Sequence, residues 1–168
     1  AGASISACTA SSVSSPLVRA LPDGTVIPLF AELTKPNGAP DLWALETVDP
    51  ADTAQDPLTL SFAPEQLPDP EPGSEAWRLP EDATLDDVVT RHVFGLAEPP
   101  RWVVVFNHGQ VVLVDRTKWS QKRLLRFDLA EVFGRRTPAT FKAMAALLHR
   151  DSLVPEGGLC LLDTLDES

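Results

Sequence analysis

Residues 101–133, RWVVVFNHGQVVLVDRTKWSQKRLLRFDLAEVF, decide how the rest of the chain is read. Two apolar runs, WVVVFN and VVLVDR, flank His108-Gly109, the pattern of an antiparallel hairpin with a two-residue tip. Gly109 is expected to supply the positive φ that such a turn needs. His108 reads as a turn residue, because histidine tolerates that geometry. A third run, RLLRFD (123–128), fits a further antiparallel strand. Asp128 then caps a short helix over LAEVF, with Glu131 at its third position and Gly134 closing it.

Working outward, Thr137 and Pro138 open another helix, PATFKAMAALLHR, with Phe141, Met144, Ala145 and Leu148 as its expected buried stripe. Upstream, a helix is expected over 84–97. Thr84 and Asp87 form its cap, and Leu85, Val88, Val89, Val93 and Leu96 share one face. Pro99-Pro100 ends it. Further upstream TVIPLFAEL (25–33), DLWALETVD (41–49) and LTLSFA (58–63) read as strands, bounded by turn signals such as Pro22-Asp23-Gly24 and Pro36-Asn37-Gly38. In the second of these, Leu42, Trp43 and Leu45 ask for burial on both faces, as in an inner strand. Residues 64–75, PEQLPDPEPGSE, make an acidic proline-rich loop, and residues 1–16 a frayed, disordered or weakly helical lead-in. The expected fold is therefore one α+β domain over residues 17–168, with a mixed, largely antiparallel sheet and flanking helices. A degenerate restriction-endonuclease-like domain is one form of that class.

The 168 residues carry 14 Lys and Arg against 24 Asp and Glu, a formal net charge of -10. The imbalance is local. Residues 1–100 hold sixteen acids against four bases, a net -12, whereas residues 101–168 hold ten bases against eight acids, a net +2. An acidic chain does not coat nucleic acid indiscriminately, though one basic face is compatible with it. Two distant cysteines without a CxxC pair, and three histidines off metal-ligand spacing, argue against structural zinc and for a reduced, cytoplasmic setting. No run of eighteen apolar residues asks for a membrane. With no initiator methionine and an ending in LLDTLDES, the sequence reads as an excerpt of a longer protein.

Few motifs carry chemistry. There is no GxSxG elbow, no GxxxxGK[ST] and no GxGxxG, so neither a nucleophile nor a nucleotide cradle is indicated. Asp41 and Glu46 are the candidate catalytic pair. Metal-dependent nucleases hold Mg²⁺ between carboxylates on adjacent strands and add a lysine. Here Glu46-Thr47-Val48 has valine in the lysine's place, and odd and even positions of one strand point to opposite faces. The candidate nucleic-acid residues are Arg116, Lys118, Trp119, Lys122, Arg123, Arg126, Arg135 and Arg136. Seven bases against Asp128 and Glu131 give a local +5, and Trp119 among them could stack on a base. The competing reading is a solvated sheet face whose cations pair with the acidic first half.

Together, RWVVVFNHGQVVLVDRTKW, RLLRFDLAEVF, MAALLHRDSL and LLDTLDES resemble the N-terminal region of large adenine-specific DNA methyltransferases of bacterial restriction–modification and phage-defence (DISARM-like) systems. The resemblance spans about residues 77–168 and rests on structural phrases. It implies a non-catalytic domain that contacts DNA or the remainder of the parent polypeptide, in which S-adenosylmethionine is the cofactor. The Asn-Pro-Pro-Tyr signature and the glycine-rich cofactor loop of that family are absent here, so the resemblance implies no cofactor in this chain. Three functions follow as alternatives: a DNA-contacting or assembling domain, a metal-dependent nuclease using Asp41 and Glu46, and a protein-interaction module working through the hairpin edge and the acidic loop.

Overall fold

The computed structural model describes residues 5–7, 17–67, 79–80, 82–157 and 159–166. Its centre is the predicted hairpin, β6 (Trp102–Phe106) and β7 (Gln110–Asp115), paired antiparallel from Trp102↔Asp115 to Phe106↔Val111. β8 (Leu124–Asp128) adds antiparallel to β7 and forms one edge of the sheet. On the other side β6 lies parallel to β5 (Pro40–Glu46), with Leu42 opposite Trp102. β4 (Ala31–Thr34) and then β1 (Ile5–Ala7) complete a six-stranded sheet in the order β1-β4-β5-β6-β7-β8. One parallel pair among antiparallel neighbours makes this an α+β fold with a largely antiparallel sheet.

Alternation along the strands sorts the core into two layers. Trp43, Leu45, Val103, Val105, Val112 and Val114 point to one face. There they meet β2 (Leu17–Ala20) and β3 (Val26–Leu29), a separate hairpin, together with the long crossover between β5 and β6. Leu42, Trp102 and Leu113 point to the other face, against Leu153 and Cys160 of the C-terminal segment. β5 is buried at five successive positions, which is what its non-alternating apolar sequence requires of a strand covered on both sides.

The crossover corrects two expectations. Residues 58–63 are not a strand: Pro57–Thr59 make a single 3₁₀ turn, capped by Asp56, whose carboxylate accepts from Leu58 N at 3.0 Å. Pro57 fixes φ for the first helical position, and the buried Leu58, Leu60 and Phe62 are used as plugs for the core. The expected helix over 84–97 is shorter. Thr84 caps it, accepting from Asp87 N, and α1 (Leu85–Asp87) widens at once into a π-type turn, Val88–Val93, closed by Phe94 N donating to Val89 O. The wider winding keeps Leu85, Val88, Val89 and Val93 all fully buried. Gly95 ends it before Pro99-Pro100 is reached; a Cβ there would lie 2.4 Å from the carbonyl oxygen of Arg91.

Other boundaries move for local reasons. TVIPLFAEL is broken at Phe30 into β3 and β4, which serve different sheets. Gly109 has no positive φ; among the described glycines only Gly24 and Gly38 do. What Gly109 provides is space, because a Cβ would sit 2.8 Å from Thr53 O. The tip is closed instead by Asn107, whose side-chain oxygen accepts from Gly109 N and Gln110 N, both at 2.9 Å. After β7 comes a short helix that the sequence did not suggest, α2 (Arg116–Trp119), capped by Asp115. α3 (Leu129–Arg135) runs through Gly134 and stops at Arg136, which itself takes the left-handed conformation, φ 47°. α4 (Pro138–Leu148) has no buried residue. The expected stripe of Phe141, Met144, Ala145 and Leu148 is only partly covered, with Phe141 36% exposed. α5 (Arg150–Leu153) and α6 (Leu161–Asp166) finish the chain. Of the lead-in, Ile5–Ala7 pair with β4, so that stretch is an edge strand and not frayed; residues 1–4, 8–16 and 68–78 lie outside the described residues.

Candidate functional site

The basic stretch occupies α2, the α2–β8 turn, β8 and α3, and most of its charge is consumed within the fold. Lys118 Nζ lies 2.8 Å from Asp166 of α6, and Arg123 reaches the same carboxylate at 3.1 Å. Lys122 pairs with Asp86 at 3.1 Å and lies 4.4 Å from the centre of the Trp119 ring, a cation–π contact. Arg126 donates to Asp56 at 2.5 Å and to the Gln110 side chain at 3.2 Å. Arg135 bonds Glu131, one turn back on α3. Arg116 and Arg136 have no ion-pair partner among the described residues. The competing reading of a self-paired face is thus the one the side chains adopt for five of the seven cations.

Trp119 corrects the expectation of a stacking platform. Its residue is 8% exposed, its indole N–H donates to Thr90 Oγ at 3.1 Å, and its ring meets Phe94 edge-on at 6.1 Å. An indole held on its edge by a hydrogen bond, and covered by Lys122, offers no open π-face. It is a core residue that ties α2 to the π-type turn.

Arg101, at the mouth of β6, is the most heavily engaged cation. It donates twice to Asp163 of α6, at 2.9 and 2.5 Å, and once to Asp115 at 3.3 Å, and it stacks 4.6 Å from the Trp102 ring centre. The hydrogen bond from Arg101 holds the Asp163 carboxyl down to about 2. Asp166 is likewise lowered, first by its bond from Lys118. Asp163 and Asp166 of LLDTLDES, three residues apart on one side of α6, therefore answer Arg101, Lys118 and Arg123 on the sheet side. That complementarity was present in the sequence, as a D-x-x-D spacing facing an excess of cations. Nothing local indicated which cations it would meet.

Asp41 and Glu46 are not brought together. Five residues apart on β5, they are separated by about 16 Å. Glu46 accepts from the Gln66 amide at 3.1 Å. Asp41 is the extra residue of a β-bulge: Leu33 pairs with Leu42 and Thr34 with Pro40, leaving Asp41 opposite nothing. It lines a cavity with Lys35, Arg150, Val154 and Glu156. Its carboxyl is raised from the ordinary value because burial outweighs the attraction of Lys35 and Arg101. Among the described residues no group of three or more His, Cys, Asp or Glu is placed to hold a metal ion. Arg150, which the sequence offered only as the end of a helix, is the residue of this region that sequence reasoning missed.

The described helices include none long and apolar enough to cross a membrane. Comparison with protein-family models, curated proteins and solved structures finds no match for this chain.

Proposed function

We propose that this chain is a non-catalytic α+β module of a DNA-modifying defence protein of the adenine-methyltransferase, restriction–modification type, and that its contribution is assembly with the rest of that protein. The parentage rests on the resemblance of residues 77–168. The choice of assembly over DNA contact rests on one observation: Lys118, Lys122, Arg123, Arg126 and Arg135 each already face a carboxylate of the same chain. A phosphate must displace those acids before it gains a cation, so little counterion release is left to drive binding.

Assembly has surfaces to work with. The outer edge of β8 carries no further strand among the described residues. Beside it Phe133 is 57% exposed and stacks at 5.6 Å on Phe141, an aromatic pair on the outside of α3 and α4. Exposed aromatics next to an open edge are the composition of a protein interface.

The test is titration of the chain with a recombinant adenine-methyltransferase region of this class. A saturable complex is expected, weakened by Phe133→Ser with Phe141→Ser, substitutions that leave the melting temperature unchanged. Salt-dependent DNA binding without any such complex overturns the assembly reading in favour of DNA contact.

A further inference from the structure

A cavity of about 490 Å³ lies between the sheet and the helices α4 and α6, within the size range of small-molecule sites. Leu125 of β8, Leu147 of α4, and Leu162 and Leu165 of α6 line it, and the buried Trp102 and Leu113 close it on the sheet side. None of the four leucines is fully buried, and Leu165 is 55% exposed. Leucines left partly open around one depression concentrate apolar surface that folding has not used, which is the character of a ligand-site wall.

The open side of the cavity is cationic. Lys118, Lys122 and Arg123 also line it, with side chains 31%, 66% and 58% exposed. Lys122 is answered by Asp86. Asp115, a further lining residue, is fully engaged: it accepts from Thr117 N and Oγ1, both at 2.8 Å, and from Arg101 at 3.3 Å. Asp166 is shared. Lys118 meets it at 2.8 Å and Arg123 at 3.1 Å, the latter through Nη2 alone. Two cations around one carboxylate leave one positive charge over. The rest of the Arg123 fork bonds no other group among the described residues, and a fork of that kind matches a second carboxylate.

We propose that this cavity binds a small carboxylate with an unbranched apolar tail, a medium-chain alkanoate in chemistry, its tail along the leucines and its carboxylate beside Asp166 against Arg123 and Lys118. Burial of the tail supplies most of the affinity, and the charge orients it. A DNA phosphate has the charge without the tail, so the two ligands are not equivalent at this site. Phe133 and Phe141 of the assembly surface do not line the cavity, and the proposal stands independently of that reading.

Isothermal titration of the chain with butanoate, hexanoate, octanoate and decanoate, each below its micellar concentration, tests the proposal. One molecule should bind per chain, with affinity rising about fourfold per added methylene until the cavity is filled. Octan-1-ol, which has the tail without the charge, should bind about tenfold more weakly than octanoate, and octyltrimethylammonium more weakly still. Arg123→Gln alters an exposed side chain and should keep the melting temperature of the wild type. It should lower octanoate affinity about tenfold and leave octan-1-ol affinity unchanged, whereas Leu147→Gln should weaken both probes. The proposal is overturned by no saturable one-to-one binding of octanoate or decanoate, by affinity that does not depend on chain length, by octan-1-ol binding as tightly as octanoate, or by octanoate affinity that neither variant alters.

Discussion

Asp163→Asn isolates the contact that holds α6 to the sheet. In the wild type Arg101 holds the Asp163 carboxyl down to about 2, against an ordinary value of 3.8. At 1.36 kcal/mol per unit that gap corresponds to about 2.4 kcal/mol. The side chain is 26% exposed, and solvent screening reduces the figure to about 1 kcal/mol. Because the folded value lies below the unfolded one, this stabilisation is complete above about pH 4 and fades as pH falls toward 2. Asparagine keeps the size of the side chain and cannot ionise, so the variant should be about 1 kcal/mol less stable at pH 7, with the difference shrinking below pH 4. Urea denaturation of both proteins at pH 7, 5 and 3 gives the difference directly, provided the slopes agree. Equal stability at pH 7, or a difference that does not shrink on acidification, would refute the assignment of Arg101–Asp163 as the clamp on α6.

Asp41→Asn should act in the opposite sense. The folded carboxyl is raised, so the wild type loses stability as pH climbs above 3.8, and the asparagine variant should be the more stable protein at pH 7 in the same urea assay, with the gap closing in acid. Trp119→Ala should cost about 3 kcal/mol of stability, the low end for removing a buried tryptophan because Lys122 covers one face, and should leave any affinity for single-stranded DNA unchanged. Gly109→Ala should cost about 1–3 kcal/mol, because its Cβ meets Thr53 O at 2.8 Å, whereas Gly134→Ala, with open space around it, should be neutral or slightly stabilising in thermal melts.

Where the sequence was legible, the reason was a strong local pattern. The β6–β7 hairpin, β8 and the Asp128 cap are specified by residues close to one another, and they stand where the pattern puts them. The inner position of β5 was readable because Leu42, Trp43 and Leu45 leave it no polar face. The strand expected over 58–63 failed because its apolar residues have distant partners. LTLSFA has strand composition, but Leu58, Leu60 and Phe62 are spent on the core from an irregular crossover that Pro57 starts. Phe141 and Met144 have helical spacing, yet no residue of α4 is buried, and Phe141 packs at 5.6 Å on the exposed Phe133 ring.

The candidate site was legible as composition and not as geometry. An excess of cations in Arg116–Arg136 is plain from the sequence. Their individual assignments, Lys122 to Asp86 and Arg126 to Asp56, bridge 36 and 70 residues and depend on the complete topology. Trp119 shows the limit most clearly, since a tryptophan among lysines and arginines has the same spelling whether it stacks on a base or donates to Thr90. Asp41 was singled out by residue type alone. Its bulge arises from a register shift between β4 and β5 that no local signal announces, and Arg150 reaches the same cavity from α5.

If the basic stretch is neutralised from within, fluorescence anisotropy of the wild-type chain with labelled duplex and single-stranded DNA should show no salt-dependent binding of either form as salt is raised from about 50 to 200 mM. Internal neutralisation is refuted by a log K against log salt slope of about -0.9 for each phosphate contacted on duplex DNA, flattened by Lys122→Glu with Arg126→Glu. That result would mean the carboxylates of Asp56, Asp86 and Asp166 yield to phosphate.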